Sequence, residues 1–422
     1  MERLPGFRDF YPEPLPKPDL WSADARQYIF DQWRAMARRY GFREYDGPPL
    51  EPLELFTTKS GEEIVGQLYN FKDKGEREVS LRPEMTPTLA RMIAAYERGY
   101  KKPLKWFALP QLFRYERQQK GRLREHFQFN ADIIGERDPA ADAELIALVI
   151  DTLRSFGLTE KDFVIRLSSR NAWQEFFREH QGDATQEYAF YQIIDKLERE
   201  TAEQSDEKLR RAGFSLAEVS AFIEAGRPTA ELEVILGNLA ARGLRDYVKV
   251  DYHVIRGLAY YTGVVFEAFD RRGEFRAIAG GGRYDNLVKL ISGGSVDLPA
   301  LGFGMGDVVL LEFLKARALL PKFTAALDAF CLVEDESLRS ESLKLIHDLR
   351  SAGLAVDYSL TPAKSDKQFK RAQELHAAHT VKLERNPAGA PLARIKNLKT
   401  RQETAIPAAE AAGRLREICA RS

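Results

Sequence analysis

Two aromatic-rich runs flanking a basic loop constrain this chain more than any other stretch. LKWFALPQLFRYE (104–116) and HFQFNADIIGE (126–136) are dense in aromatic and β-branched residues, the composition of strands. Between them Arg114, Arg117, Lys120, Arg122 and Arg124 fall within eleven residues. The pattern of strand, long loop, strand predicts an antiparallel pair. Such a pair would hold both loop ends, so that the arginines converge on phosphate oxygens with forked hydrogen bonds. An exposed basic hairpin fits the same residues, and the loop alone does not decide.

The rest of the chain falls into segments around that pair. Residues 22–40 carry Ile29, Trp33, Met36 and Tyr40 at helical spacing, with Ser22 as N-cap and Gly41 as the stop. FREYDGPPLEP (42–52) predicts a short strand ended by Pro48 and Pro49. Residues 64–81 predict a hairpin turning at 73–76, and a helix is expected over 86–100, opening at Thr86-Pro87. A further helix is expected at 139–156, with Asp138 as cap and Pro139 in its first turn. Residues 171–245 are charged, helical and poor in strand signals, as an insertion or helical arm would be. Strand signals return from 248 in VKVDYHVI, TGVVFEAFD and FRAIAG. Pro321 marks a linker. From 325, strands alternate with helices at 336–352 and 365–378, the pattern of a small α/β domain.

Composition narrows the function classes. Lys+Arg and Asp+Glu both number 63, which excludes a globally basic nucleic-acid binder but not a local patch. Residues 364–401 hold ten Lys/Arg against three Asp/Glu, which fits phosphate binding and a solvated surface equally. Cys331 and Cys419 form no CxxC, and the six histidines form no HxxxH or HExxH pair. A disulfide framework and a zinc site are therefore not expected. The N-terminal MERLPGFRDFYPEPLPKP has no apolar run, and no 18-residue apolar stretch occurs. The expectation is a soluble cytoplasmic protein with no membrane partner.

Four more constellations carry groups suited to a ligand. In LRPEMT (81–86), Glu84 and Thr86 precede a helix; they would hold an ammonium group, or Thr86 simply caps the helix. In VIRGLAYYTG (254–263), Arg256 enters an apolar run, and a buried guanidinium requires an anionic partner. AIAGGGRYDNL (277–287) has three glycines that let a backbone approach a ligand or make a tight turn. LGFGMGDVVLLEFL (301–314) reads as a strand leading into a helix, its glycines serving close strand–helix packing.

Taken together, these segments resemble the histidyl-tRNA synthetases of the class II aminoacyl-tRNA synthetase family, from LPGFRDFYP (4–12) to KSDKQFKRA (364–372). The helix at 22–40 and the strand ending at Pro48 resemble motif 1, and FRYERQQKGRLREHFQF resembles motif 2. LGFGMGDVVLLEFL stands where motif 3 belongs. RGLAYYTG and AGGGRYDNL resemble the two signature peptides that set the histidine enzymes apart. The resemblance implies an α+β catalytic core, an antiparallel sheet flanked by helices, over 1–170 and 246–321. It further implies a helical insertion at 171–245 and a C-terminal α/β anticodon-binding domain at 325–422. The implied partners are histidine, ATP with Mg²⁺, a histidine-specific tRNA and a second copy of the chain.

Residue roles follow from the same resemblance. Glu84, Met85 and Thr86 would surround the histidine amino group and the reaction centre. Arg114 would hold the α-phosphate and carboxylate, and Arg122 with Glu116 the ATP phosphates. Gln128 and Asp132 would line the amino-acid pocket, with Tyr260 and Tyr261 as walls and Tyr284 beside them. Arg256 would be the catalytic arginine facing the α-phosphate, and no protein-built metal cage is implied. Three positions depart from the family pattern. Motif 3 has no arginine in GDVVLLEFL, Ala259 replaces an aspartate, and Met85 replaces a glycine. An organelle-like branch of the family carries similar replacements at the first two. The alternative is an inactive paralogue serving as a histidine-sensing regulatory subunit of ATP phosphoribosyltransferase. Such subunits generally lack the C-terminal domain that 325–422 resembles. A bare RNA-binding module is disfavoured by the pocket residues.

Overall fold

The computed structural model describes every residue except Met1, 58–65, 117–120, Gln181, Arg199, 256–259, 324–326 and 421–422. Two compact units emerge, one of 1–11 with 19–321, the other of 12–18 with 322–422.

In chain order the strands of the first unit are β1 (Phe10–Tyr11), β2 (Trp21–Ser22), β3 (Arg43–Glu44), β4 (Leu50–Pro52), β5 (Tyr69–Lys72), β6 (Glu78–Leu81), β7 (Leu104–Ala108), β8 (Gln111–Phe113), β9 (Glu125–Ile134), β10 (Phe163–Ser169), β11 (Val248–Val250), β12 (Val264–Asp270), β13 (Ala279–Arg283) and β14 (Ala300–Gly306). The main sheet runs β11-β10-β12-β13-β14-β9-β7-β3, with β8 also pairing β9. Its pairs are antiparallel except at the two ends, β10–β11 and β3–β7. This is the expected α+β core. The run 104–116 is two strands broken at Leu109-Pro110, and both pair antiparallel with β9.

One face of this sheet carries the core. Phe129, Ala131 and Ile133 of β9 are buried, and Phe129 stacks at 5.8 Å on Trp33 of the helix Ala23–Arg39. That helix starts where expected, with the Ser22 hydroxyl accepting from the Ala25 N–H at 3.0 Å. Its buried stripe is Ile29, Trp33 and Met36. Each large apolar side chain so buried contributes about 1.5–3 kcal/mol. The helix Ala140–Ser155 has Pro139 at its N-cap rather than the expected Asp138, whose carboxylate instead accepts from the Ala140 N–H at 2.8 Å from one residue further out.

Four local expectations change. The strand in FREYDGPPLEP divides, because Pro48 and Pro49 separate β3 from β4, and β4 belongs to a second sheet with β5 and β6. The hairpin over 69–81 stands. The helix at Thr86 ends at Tyr96, followed by a 3₁₀ turn at Glu97–Gly99. Thr86 is its first residue rather than its cap, and no side chain caps it. The run Gly280–Gly282 is not a turn but the interior of β13. A Cβ on Gly281 would meet the Gly302 carbonyl oxygen at 2.2 Å, so that strand contact admits only glycine. Between β10 and β11 lie the helices Arg170–Glu179, Glu187–Lys196, Ala202–Arg211, Leu216–Ala225 and Ala230–Ala241.

The second unit has β15 (Ala329–Leu332), β16 (Val356–Tyr358), β17 (His379–Arg385), β18 (Pro391–Asn397) and β19 (Glu403–Pro407), in the order β16-β15-β17-β18-β19. The first three are parallel and the last two antiparallel. The helix expected to reach 378 spans Ser365–Glu374, because His376 takes a left-handed φ of +51°. Leu345, Leu349, Val381, Ile395 and Leu415 form its core. Lys382, Arg394 and Lys396 of the basic stretch lie in ion pairs with Glu334, Glu384 and Glu403 at 2.5, 2.5 and 2.8 Å. No helix among the described residues is long and apolar enough to cross a membrane.

Candidate active site

Strand alternation builds the site on the sheet face opposite Phe129. Gln128, Asn130 and Asp132 of β9 share that face. Across from them, β14 pairs Gly306, Gly304 and Gly302 with these three residues. A Cβ on Gly302 would lie 1.9 Å from Asp132 Oδ1, and one on Gly304 2.6 Å from the Gln128 amide carbon. Gly302 and Gly304 therefore make room for these side chains, which replaces the strand–helix packing role expected of them.

A pocket of buried polar groups follows from this. The Tyr284 hydroxyl donates to Asp132 Oδ1 at 2.5 Å, and the Tyr260 hydroxyl donates to Glu84 Oε2 at 2.7 Å. The Tyr260 ring meets Tyr284 edge-on at 6.0 Å and lies 5.0 Å from Tyr261. Glu84, Asp132, Tyr260, Tyr261 and Tyr284 are all buried. Burial pushes the Asp132 carboxyl up to about 7 and the Tyr284 hydroxyl well above its ordinary range. The two peptides that carry the tyrosines clasp each other. The Thr262 N–H donates to the Arg283 carbonyl at 2.9 Å, and the Asp285 N–H donates to the Thr262 hydroxyl at 3.1 Å. Arg283 itself forks onto Asp142 at 2.6 and 2.9 Å and anchors the clasp to the helix Ala140–Ser155.

Beside this pocket opens a cleft of about 570 Å³ whose lining includes Arg114, Glu116, Arg122, Gln128, Glu267 and Arg276. Arg122 pairs with Glu116 at 2.9 Å. Arg114 Nε donates to the carbonyl of Pro83, the residue before Glu84, at 2.9 Å. His126 also lines the cleft, and burial with Arg114 and Arg8 nearby pushes it down to about 3, so its ring is neutral. Next to the lining residues His126 and Val308 stands a buried trio. Arg8 donates to Glu125 at 2.6 Å and to Asp307 at 2.8 Å, and Asp307 accepts from the Phe127 N–H at 3.0 Å.

Most residues singled out in the sequence meet here. Glu84, Asp132, Tyr260, Tyr261 and Tyr284 form the pocket; Arg114, Glu116, Arg122 and Gln128 line the cleft. Thr86 is half-buried at the helix start. Met85 is fully buried with its sulfur 3.6 Å from Arg82, a packing position. Arg256, with Ala259, lies outside the described residues. Tyr45, Asn130, His126, Glu267 and Arg276 were not anticipated. The Tyr45 hydroxyl and Asn130 Oδ1 are buried without a hydrogen-bond partner among the described residues, as ligand-facing groups can be. Asn130 was legible in the alternation Gln128, Asn130, Asp132; Tyr45 and Arg276 carry no local signal.

The Asp132 environment sets a pH dependence. Its folded value lies above the ordinary carboxylate value, so the native state binds the extra proton between about 4 and about 7. Stability therefore falls as pH rises through that window. Asp132→Asn is expected to flatten this part of the profile by on the order of 2–4 kcal/mol, read from urea unfolding at pH 5, 6, 7 and 8. An unchanged slope would show that Asp132 is not the titrating group.

Comparison with known proteins matches the chain to named relatives. Residues 18–307 match the family described as histidyl-tRNA synthetase. A histidine–tRNA ligase of Opitutus terrae is 44% identical, over 99% of this chain and 98% of that protein. The chloroplastic/mitochondrial histidine–tRNA ligase of Arabidopsis thaliana is 37% identical, over 89% of this chain and 79% of its own. Among solved structures, histidyl-tRNA synthetase from Nostoc has a similar fold, with a TM-score of 0.75 at 23% identity, covering 96% of this chain and 97% of that one. Apo histidyl-tRNA synthetase of S. aureus gives 0.70 at 24% identity, covering 98% and 100%.

Proposed function

The chain belongs to the histidyl-tRNA synthetase family, and from that premise we propose how this site activates histidine and passes it to tRNA. The chain is a histidine–tRNA ligase and takes ATP as a substrate. The regulatory alternative is not favoured, since relatives named as ligases match nearly the whole chain.

In our reading the histidine ammonium sits at Glu84, whose buried carboxylate is oriented by Tyr260. Asp132, held by Tyr284, faces the imidazole. A neutral imidazole offers one donor and one acceptor, so a pocket of buried polar groups around Asp132 selects it over apolar side chains. Tyr261 walls the pocket, while Met85, buried against Arg82, shapes it from behind and Thr86 lies at its helix start. The triphosphate occupies the arginine cleft, with Arg114 at the α-phosphate, Arg122 with Glu116 at the outer phosphates, and Gln128 between cleft and pocket. We assign Arg256 to the α-phosphate as a second cation on the resemblance of its peptide.

A histidine carboxylate oxygen then attacks the α-phosphorus in line. The bond to the β-phosphate oxygen breaks, and pyrophosphate leaves with that electron pair. The protein positions the reactants and neutralises charge rather than forming a covalent bond. A hydroxyl at the tRNA 3′ end next attacks the adenylate carbonyl, and AMP leaves. Mg²⁺ would fit this cleft: Glu116 and Glu267 would offer it hard oxygen donors, and it would supply charge neutralisation at the phosphates. Among the described residues no group of three or more ligands would cage it.

One observation carries this reading. Two buried carboxylates, each held by a tyrosine of a separate signature peptide, stand beside an arginine-lined cleft. The test is ATP–pyrophosphate exchange by the purified chain. Exchange with histidine and not with other amino acids supports it; no exchange with histidine refutes it.

We further propose that 171–245 is an insertion in a core formed by 1–170 and 246–321, that the enzyme is a cytoplasmic homodimer, and that 325–422 contacts the tRNA anticodon arm through the cations of 364–401. The compactness of the C-terminal unit supports its separate role. Deleting 322–422 is expected to keep exchange within a few-fold and lower histidyl-tRNA formation by about 10²-fold or more, a contact loss of roughly 3 kcal/mol. Full charging by the truncated chain would remove that role.

A further inference from the structure

Resting on the reading above, a triphosphate must find cations on more than one side of the cleft. Arg114 and Arg122 lie on the side of β8 and β9. Between that side and β12–β13 runs β14, followed by the helix Asp307–Ala316, whose Val308 and Val309 line the cleft. This stretch stands where motif 3 belongs, and it offers only glycines and valines to the cleft. On the far side of β14, Arg276 lies three residues before β13 and lines the same cleft, with Glu267 of β12. Two strand spacings, about 10 Å, separate β13 from β9. A guanidinium from the β13 side therefore reaches phosphate oxygens that Arg114 and Arg122 approach from the other.

We propose that Arg276 joins Arg122 in holding the outer phosphates of ATP in this chain, supplying from the β12–β13 side the charge that the valine-lined start of the motif 3 helix lacks. Three features support this. Arg276 lies in the connection between β12 and β13, two residues before Ile278, whose N–H donates to the Ala268 carbonyl at 2.8 Å, and three before Ala279, which pairs with Ala268 and Met305. Among the described residues lining the cleft, Arg276 adds a third guanidinium to Arg114 and Arg122, which stand with Glu116 and Glu267. A guanidinium also offers the fork that matches two phosphate oxygens at once. Arg276 acts in this scheme on binding and on the departing pyrophosphate, not on the histidine pocket.

The test compares ATP and AMP binding to the full chain by calorimetry, in wild type and Arg276→Ala. The expected result is a rise in the ATP Kd of about 10- to 10²-fold, with the AMP and histidine Kd values within twofold of wild type. Arg276→Lys should recover part of the loss. Val309→Arg in the Arg276→Ala background should recover more, because Val309 lines the same cleft. Arg276 is exposed, so the variant is expected to fold. An unchanged ATP Kd would overturn the proposal, and so would equal weakening of ATP and AMP. Histidine-dependent exchange by the wild type is measured beside these. Its absence would overturn the ligase reading, while the ATP and AMP comparison would still decide the role of Arg276.

Discussion

Arg114→Ala is expected to lower the rate of histidine-dependent ATP–pyrophosphate exchange by about 10²–10³-fold, equivalent to roughly 2.7–4 kcal/mol of transition-state stabilisation. The guanidinium lines the cleft and is fixed by its Nε hydrogen bond to the Pro83 carbonyl at 2.9 Å. It is therefore preorganised for charge that develops on the α-phosphate as the histidine carboxylate attacks. The loss should appear mainly in kcat, because a group matched to the transition state adds little to ground-state binding. Arg114→Lys should recover only a fraction, since an ammonium cannot keep the Pro83 contact and fork onto phosphate together. A variant that raises KM alone would reduce Arg114 to a binding residue. One that lost less than tenfold in either term would remove it from the mechanism.

The largest stability effect is expected from Arg8→Ala, about 3–5 kcal/mol by urea denaturation at neutral pH. Arg8 forks between Glu125 and Asp307, all three side chains being 5% exposed or less. Removing the guanidinium leaves two carboxylates buried and close to each other. The sign of the pH dependence can be worked out. Burial raises Asp307 above its ordinary value even with Arg8 present, and without Arg8 that value rises further. Protonation then relieves the repulsion, so the deficit of the variant should shrink as pH falls toward 5. Arg8→Leu gives the same charge change with an apolar side chain in its place. If both variants lose less than 1 kcal/mol, the trio does not brace the site. Because Asp307 begins the helix that lines the cleft and Glu125 begins β9, weaker ATP binding should accompany the lost stability.

Much of the site was legible because it is carried by short contiguous patterns. Gln128 and Asp132, placed in the amino-acid pocket on the resemblance of their peptide, share one face of β9. Ser22 was readable as a cap because an N-cap bond spans only three residues. The basic loop between two aromatic strands predicted the antiparallel pair that forms. Local chemistry misled where two readings of one residue type were both allowed. Glycines at 280–282 suit a turn or a crowded strand, and only the neighbouring β14 backbone decides for the strand. Thr86 is a good cap by composition, yet the helix includes it.

By itself, the sequence determined the strand and helix periods, the absence of metal-ligand spacings and the peptides that mark the family. These are local properties, set by side-chain alternation, caps and residue type within a few positions. Only the tertiary structure decided which polar groups meet. Asp132 and Tyr284 stand 152 residues apart, Glu84 and Tyr260 176, and Arg8 and Asp307 299. It also placed Arg276 on the cleft and turned Arg283 of the same peptide inward to Asp142. A hydrogen bond or a cleft depends on the sheet register that brings distant strands side by side, and that register is set by burial of one face summed over the whole sheet.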